Sequence, residues 1–239
     1  MCLPTYNELE NLERMIRALA IERTTHGLDR MTVLVIDDGS PDGTGAVADR
    51  LAAELEWVQV LHRTAKEGLG RAYLAGFQVA LDAGAELIME MDCDFSHNPR
   101  DVHRLIAAST QADLVLGSRG VTGGGVTGWP LSRRIISRGG SFYARTILGL
   151  RVRDLTGGFK LFHRRVLEAI DFDRVEAAGY TFQIELTYRA RQLGFSVLEV
   201  PIIFIDREFG ESKMTGSIVT EAMVKVWQLK LRRDHGAQR

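Results

Sequence analysis

"ELIMEMDCDFSHNPRDVHRLIAASTQADLVLGS", residues 86–118, carries the pattern that decides the fold. Its apolar start is short and ends on two carboxylates, Asp92 and Asp94, as a buried strand does where it leaves a sheet. Asn98 and Pro99 then suit the N-cap and first position of a helix through "PRDVHRLIAA". "DLVLGS" is a second buried strand. Strand, helix and strand in this order make a right-handed unit whose strands lie parallel in one sheet.

The same alternation extends outward in both directions. "NELENLERMIRAL" spaces Leu9, Leu12, Ile16 and Leu19 for a helix, with Asn7 as its N-cap and Glu10 as the capping partner. "TVLVIDD" and "WVQVLHR" are strands, and "GTGAVADRLAAEL" and "GRAYLAGFQVALDAG" are helices. Beyond residue 155, "GGFKLFH" is a strand, "YTFQIELTYRARQLG" a helix, and "SVLEVPIIFIDR" a strand whose Pro201 points to an edge or a bulge. "SIVTEAMVKVWQLKLRR" closes the chain as an amphipathic helix with a basic end. The expected fold is α/β, one large domain with a mostly parallel central sheet covered by helices.

Composition narrows the functional classes. The 239 residues are 45% hydrophobic and 26% charged, which excludes a disordered chain. A net charge of -1 argues against general nucleic-acid binding, so any basic patch must be local. Two cysteines, Cys2 and Cys93, form neither a disulfide framework nor a zinc spacing and fit a reducing cytosolic setting. No apolar stretch is long enough to span a bilayer and no signal-peptide pattern opens the chain, so a soluble or peripheral protein is expected.

Ligands of an open parallel sheet bind beyond the carboxyl ends of its strands. Three polar clusters fall there: Asp37 with Asp38, Asp92 with Asp94, and Ser118 with Arg119. Helix capping or a turn explains any one of them, and "DDGSPDGT" alone reads as an ordinary strand-to-helix turn. Two carboxylates one residue apart repel each other unless a cation joins them. Oxygen-only donors select Mg²⁺ or Mn²⁺, ions that also grip substrate phosphates. Alternation turns the Cys93 thiol away. With neither a "GxxxxGK[ST]" loop nor a "GxGxxG" turn, a nucleotide-linked donor whose diphosphate departs fits better than an NTPase or a dehydrogenase.

After Arg119 the texture changes. A Gly-rich loop leads into "PLSRRIISRGGSFYARTILGLRVR", which has six arginines and no acid, interleaved with Leu131, Ile135, Ile136, Phe142, Ile147 and Leu148. Two readings stay open, a packed helix pair with a solvated face and a segment lying on an anionic membrane surface. The C-terminal helix poses the same choice.

Taken in order, "PTYNE", "IDDGSPDGT", "MDCDFSHNP", "GSRG", "DLTGGFK", "YTFQIE" and "IDREFGESK" resemble the polyprenol-phosphate mannosyltransferases, the dolichol-phosphate mannose synthase type of glycosyltransferase family 2, from Pro4 to about Lys213. The resemblance implies a GT-A fold, GDP-mannose as donor, a polyprenyl phosphate as acceptor, Mg²⁺ or Mn²⁺, and inversion at the anomeric carbon. Carried over by motif, Pro4, Tyr6, Glu8, Val35 and Asp37 contact the nucleoside. Asp92 and Asp94 hold metal and diphosphate, with the Cys93 backbone near the nucleotide. Many relatives have Gln where Ser96 stands, which leaves that metal ligand to Ser96 or to water. Arg119, Arg207 and Lys213 engage donor or acceptor phosphate and are the catalytic cations beside Asp94; Arg133 and Ser137 join Arg119 at the acceptor phosphate. "IDREFGESK" is expected to close over the donor with Gly210 as hinge. The expected division is residues 1–216 as catalytic domain, with 119–155 facing acceptor and membrane, and 217–239 as a basic helix and tail. The place of work is the cytoplasmic face of a membrane, reached peripherally, through a membrane-anchoring partner or through a fused domain. A family 2 transferase using a UDP-sugar is the alternative.

Overall fold

The computed structural model describes residues 1–176, 179–206 and 216–231. Its first half alternates β1 (Cys2–Thr5), α1 (Leu9–Thr25), β2 (Val33–Asp37), α2 (Thr44–Glu54), β3 (Val58–His62), α3 (Leu69–Asp82), β4 (Leu87–Glu90), α4 (Val102–Ala108) and β5 (Leu114–Ser118). The second half adds β6 (Gly125–Thr127), α5 (Leu131–Leu148), β7 (Lys160–His163), α6 (Arg164–Ala169), α7 (Tyr180–Gln192), β8 (Val197–Pro201), β9 (Ile203–Ile205) and α8 (Gly216–Leu231).

Seven strands form the main sheet in the order β3-β2-β1-β4-β7-β5-β8. All neighbours are parallel except at β7, which runs against both β4 and β5. β8 is the edge strand, as Pro201 suggested; the chain turns there into β9, which pairs with β6 in a small second sheet. Each face of the main sheet carries its own core. Leu3, Leu12, Ile16, Val35, Met89 and Phe159 belong to one, and Ile36, Tyr73, Phe77, Phe162 and Phe182 to the other. Strand alternation sends Val35 and Ile36 to opposite faces, and each fully buried side chain of this size contributes about 1.5–3 kcal/mol. Helix α3 approaches β2 closely because Gly76 lacks a side chain; a Cβ there would stand 2.3 Å from Ile36 Cδ1.

The helix start at α1 differs from the expectation. Asn7 is left-handed (φ 59) and Glu8 takes the N-cap position without a side-chain cap. The exposed N–H groups are satisfied across the sequence instead: Asn7 N donates to Ser40 Oγ (3.1 Å), Glu8 N to Thr44 Oγ1 (3.0 Å) and Leu9 N to Asp42 Oδ2 (3.2 Å). At the other predicted start, Asn98 Oδ1 accepts from Arg100 N (3.1 Å), and a turn of 3₁₀ helix at Pro99–Asp101 leads into α4.

The arginine-rich segment is one helix, α5, rather than a pair of helices. Helix α8 packs on it, burying Val226 and Leu229 and accepting a hydrogen bond from Tyr143 Oη at Met223 O (3.2 Å). Leu131, Ile135, Ile136 and Phe142 of α5 stay exposed, as do Met223, Val224, Trp227 and Leu231 of α8. Among the described residues no helix is long and apolar enough to cross a membrane.

Candidate active site

The three polar clusters meet the chain at the carboxyl ends of β2, β4 and β5, joined there by the loop after β1. "DDGSPDGT" is built as a scaffold. Ser40 donates its hydroxyl to Asp37 Oδ1 and receives Asn7 N, while Thr44 donates to Asp42 Oδ1 (2.6 Å) and receives Glu8 N. The turn after β2 thereby fixes the loop that carries Tyr6 and Glu8. Lys66 Nζ lies 3.5 Å from the centroid of the Tyr6 ring, and Arg63 pairs with Asp38. Pro4, Tyr6 and Glu8 keep partial exposure, but Val35 has none. The Val35 side chain sits two positions before the strand end and alternation commits it to the core, so a contact of this residue with a nucleoside would come from its backbone.

At the end of β4 the acidic loop is held from several sides. Asp94 is 5% exposed and its Oδ1 accepts both the N–H (3.0 Å) and the hydroxyl of fully buried Ser96. Ser96 thus supports the carboxylate through both its backbone and its side chain. His97, also buried, accepts the Asp92 N–H at Nδ1 (3.2 Å) while its ring stacks on Phe159. Tyr73 Oη donates to Asp92 Oδ1 (3.3 Å). Phe95, between Asp94 and Ser96, is left-handed at φ 60, a conformation that costs a bulky residue about 1–3 kcal/mol and persists only where its surroundings impose it. The Cys93 thiol points into the core, as alternation predicted, and burial pushes its pKa well up. Asp92 and Asp94 present only oxygen donors next to buried supports, which fits a hard divalent ion bound through carboxylates.

Beneath Asp92 lies a buried ionisable pair. Glu90 and Lys160 face each other across β4 and β7, both fully buried, with Nζ 3.7 Å from Oε1. Lys160 donates to Gln183 O (2.7 Å) and Oε1 (2.6 Å), and neither Glu90 oxygen has a hydrogen-bond partner among the described residues. Burial pushes the Glu90 carboxyl up to about 8, against the opposing charge of Lys160, and pushes the Lys160 ammonium down to about 8.

The third cluster faces a cleft of about 370 Å³ including its mouth, lined by Arg119, Arg134, Arg138 and Arg153 with Ser137 and Ser141. One acid, Asp154, balances these four cations. Arg119 grips it with Nε and Nη2, both at 2.6 Å, donates its N–H to the same carboxylate (2.9 Å), and donates from Nη2 to Thr156 Oγ1 (2.9 Å). From Asp154 the segment "DLTGG" runs to Gly158, where a Cβ would stand 3.8 Å from both oxygens of Asp92. One short segment thus connects the arginine cleft to the acidic pair.

The sequence model of glycosyl transferase family 2 matches residues 1–171. The chain belongs to glycosyl transferase family 2. It is 49% identical to the undecaprenyl-phosphate mannosyltransferase of Micrococcus luteus over 96% of this chain and 93% of that one. It is 50% identical to the polyprenol monophosphomannose synthase of Mycolicibacterium smegmatis, over 97% and 87%. The resemblance to polyprenol-phosphate mannosyltransferases is borne out. Solved structures share the fold. A glucosyl-3-phosphoglycerate synthase of Mycobacterium tuberculosis, in complex with Mn²⁺, UDP and phosphoglyceric acid, superposes at TM-score 0.70 and 19% identity over 98% and 79% of the two chains. A Pyrobaculum calidifontis mannosyltransferase, in complex with GDP-Man and Mn²⁺, does so at 0.64 and 16% over 97% and 63%. The α/β fold is of the GT-A type, and the protein is a glycosyltransferase.

In this transferase the acceptor-side expectations divide. Arg119 and Ser137 line the cleft, where Nε and Nη2 of Arg119 bind Asp154. Arg133 does not line the cleft: it lies over Trp129, 4.1 Å from the ring centroid, and donates to Asp206 Oδ1 (2.9 Å). Arg134, Arg138 and Arg153 were missed. For the first two the signal was readable, since 134, 137, 138 and 141 share one face of a helix. Arg207, Gly210 and Lys213 lie outside the described residues.

Proposed function

We propose that the transferase moves mannose from GDP-mannose to the phosphate of a polyprenyl, dolichyl-type, lipid, giving polyprenyl-phosphate mannose and GDP with inversion at the sugar. The observation that carries this reading is the rim itself: an acidic pair suited to a metal-bound diphosphate, joined by "DLTGG" to a cleft with four arginines. A sugar hydroxyl acceptor needs a base, whereas a phosphate monoester is ionised at neutral pH and needs cations to bring it to a second anion. The arginine cleft meets that second need, and the names of the two relatives agree with it.

Asp92 and Asp94 are the residues that would hold Mg²⁺ or Mn²⁺, which when bound supplies charge neutralisation to the diphosphate. Ser96 and Tyr73 hold those carboxylates, and His97 the Asp92 backbone N–H, in place before substrate arrives. Pro4, Tyr6, Glu8, Asp37 and the Cys93 backbone are assigned to the nucleoside side. Arg134, Arg138, Arg153 and Ser137 are assigned to the acceptor phosphate, with Arg119 and Asp154 keeping the cleft wall in register. Arg207 and Lys213 are assigned to the departing GDP; the Arg133–Asp206 pair fixes the point at which their segment begins. The lipid tail of the acceptor stays in the membrane, so the enzyme works as a peripheral protein at the cytoplasmic surface, and the exposed apolar residues of α5 and α8 support that placement.

The test is incubation with labelled GDP-mannose or UDP-glucose, Mg²⁺ and a short polyprenyl phosphate, followed by organic extraction. Label is expected in the lipid phase from GDP-mannose only, and only when the lipid carries phosphate. Extraction from UDP-glucose alone, or transfer to unphosphorylated polyprenol, overturns the reading.

A further inference from the structure

Glu22 and His26, one turn apart near the end of α1, meet His103 in the first turn of α4. Oε2 of Glu22 lies 3.2 Å from His26 Nε2 and 3.9 Å from His103 Nδ1, and the three donor atoms all fall within 4.8 Å of one another. The two imidazoles stack with centroids 3.7 Å apart. This grouping lies outside the acidic pair and the arginine cleft, and nothing in the proposed transfer uses it.

Two of its atoms are left in an unfavourable state. Glu22 is 7% exposed, and neither its Oε2 nor Nδ1 of His103 has a hydrogen-bond partner among the described residues, although both are buried. A buried carboxylate oxygen without a donor costs free energy, and two stacked imidazoles repel each other if both take up protons to serve it. One cation in the middle would satisfy all three atoms. A carboxylate with two imidazoles is a borderline donor set, suited to Zn²⁺, Co²⁺ or Ni²⁺ rather than to the hard ions of an all-oxygen site. Donors around a tetrahedral Zn²⁺ stand about 3.4 Å apart. The spacings seen here bracket that value, and the imidazoles, each about one-third exposed, have room to tilt inward.

We propose that Glu22, His26 and His103 form a second metal site, selective for a Zn²⁺-type ion, that clamps α1 to α4. Its fourth position opens to solvent on the exposed side of the two rings. The helices it joins follow the loops bearing Tyr6 and Glu8 on one side and Asp92 and Asp94 on the other. An ion here therefore stiffens the frame behind the rim without touching substrate.

The experiment uses the full chain, stripped with chelator and carrying Asp92→Asn and Asp94→Asn so that the rim contributes no ion. Co²⁺ is titrated by visible absorption and Zn²⁺ by calorimetry. One equivalent is expected to bind, to raise the thermal midpoint, and to weaken at least about 10-fold when His26→Ala or His103→Gln is added. His26 lies at the exposed helix end, so its removal leaves the fold intact and keeps the test decisive. Absence of binding in the Asp92→Asn, Asp94→Asn chain, or binding unchanged by His26→Ala, overturns the proposal. Because the rim is disabled throughout, the outcome is independent of whether the transfer reaction is correctly assigned.

Discussion

Arg119 binds the carboxylate of Asp154 through two parallel N–H···O contacts of 2.6 Å, with the acid almost wholly buried. Removing one member of such a pair strands the other, at a cost of about 3–5 kcal/mol. Asp154→Asn is accordingly expected to lower the urea midpoint strongly, and Arg119→Lys to do so as well because an ammonium cannot reproduce the fork. Urea denaturation followed by circular dichroism checks this; unchanged midpoints would show the pair to be incidental.

Ser96 reaches Asp94 with both its hydroxyl and its N–H. Ser96→Ala keeps the backbone contact and loses the other. Groups that orient a metal-binding carboxylate are worth about 10–100-fold in affinity. Mn²⁺ binding in the presence of nucleotide, followed by electron paramagnetic resonance, is expected to weaken within that range while the thermal midpoint hardly moves. Equal affinity in the variant would reduce Ser96 to a packing residue.

If the arginine cleft receives the lipid phosphate, Arg134→Ala and Arg138→Ala each remove a charge-assisted contact worth about 1.5–3 kcal/mol. The KM for polyprenyl phosphate is expected to rise about tenfold or more for each. Nucleotide affinity, measured by calorimetry, is expected to stay put. A loss on the nucleotide side instead would move the acceptor elsewhere.

The Glu90–Lys160 pair predicts a pH profile of stability. Between about 4.5 and 8 the folded chain retains the Glu90 proton that the unfolded chain has released, so stability falls as pH rises. Between about 8 and 10.5 the unfolded chain holds a Lys160 proton that the folded chain has lost, so stability recovers. Denaturation midpoints of the wild type, taken relative to a Glu90→Gln, Lys160→Met double variant, are expected to dip near pH 8. A flat difference across that range contradicts the account.

Strands β2, β3, β4 and β5 were legible because each is a short apolar run closed by turn residues with a helix at regular spacing, whereas β1, four residues with Pro4 inside, carries no such run. Asp92, Asp94 and the turned-away Cys93 were legible for the same reason, position after a buried strand. What stayed hidden depends on distant contacts. That Asn7 cannot cap α1 follows from Ser40, Asp42 and Thr44 occupying its end, more than thirty residues away. Val35 looks like a site residue by motif, yet the pleat buries it. Arg119 looked like a free cation until folding brought Asp154 to it, and nothing in local spacing announces a partner 35 residues downstream.

The reversed strand β7 has a consequence for how such a rim can be assembled. A parallel strand delivers only its last residues to the edge where its neighbours end; an opposed one delivers its first. "DLTGG" enters between the exits of β4 and β5, so residues that precede a strand, rather than residues that follow one, stand between the two half-sites. The acidic pair and the arginine cleft then sit side by side, with Gly157 and Gly158 on the chain between them.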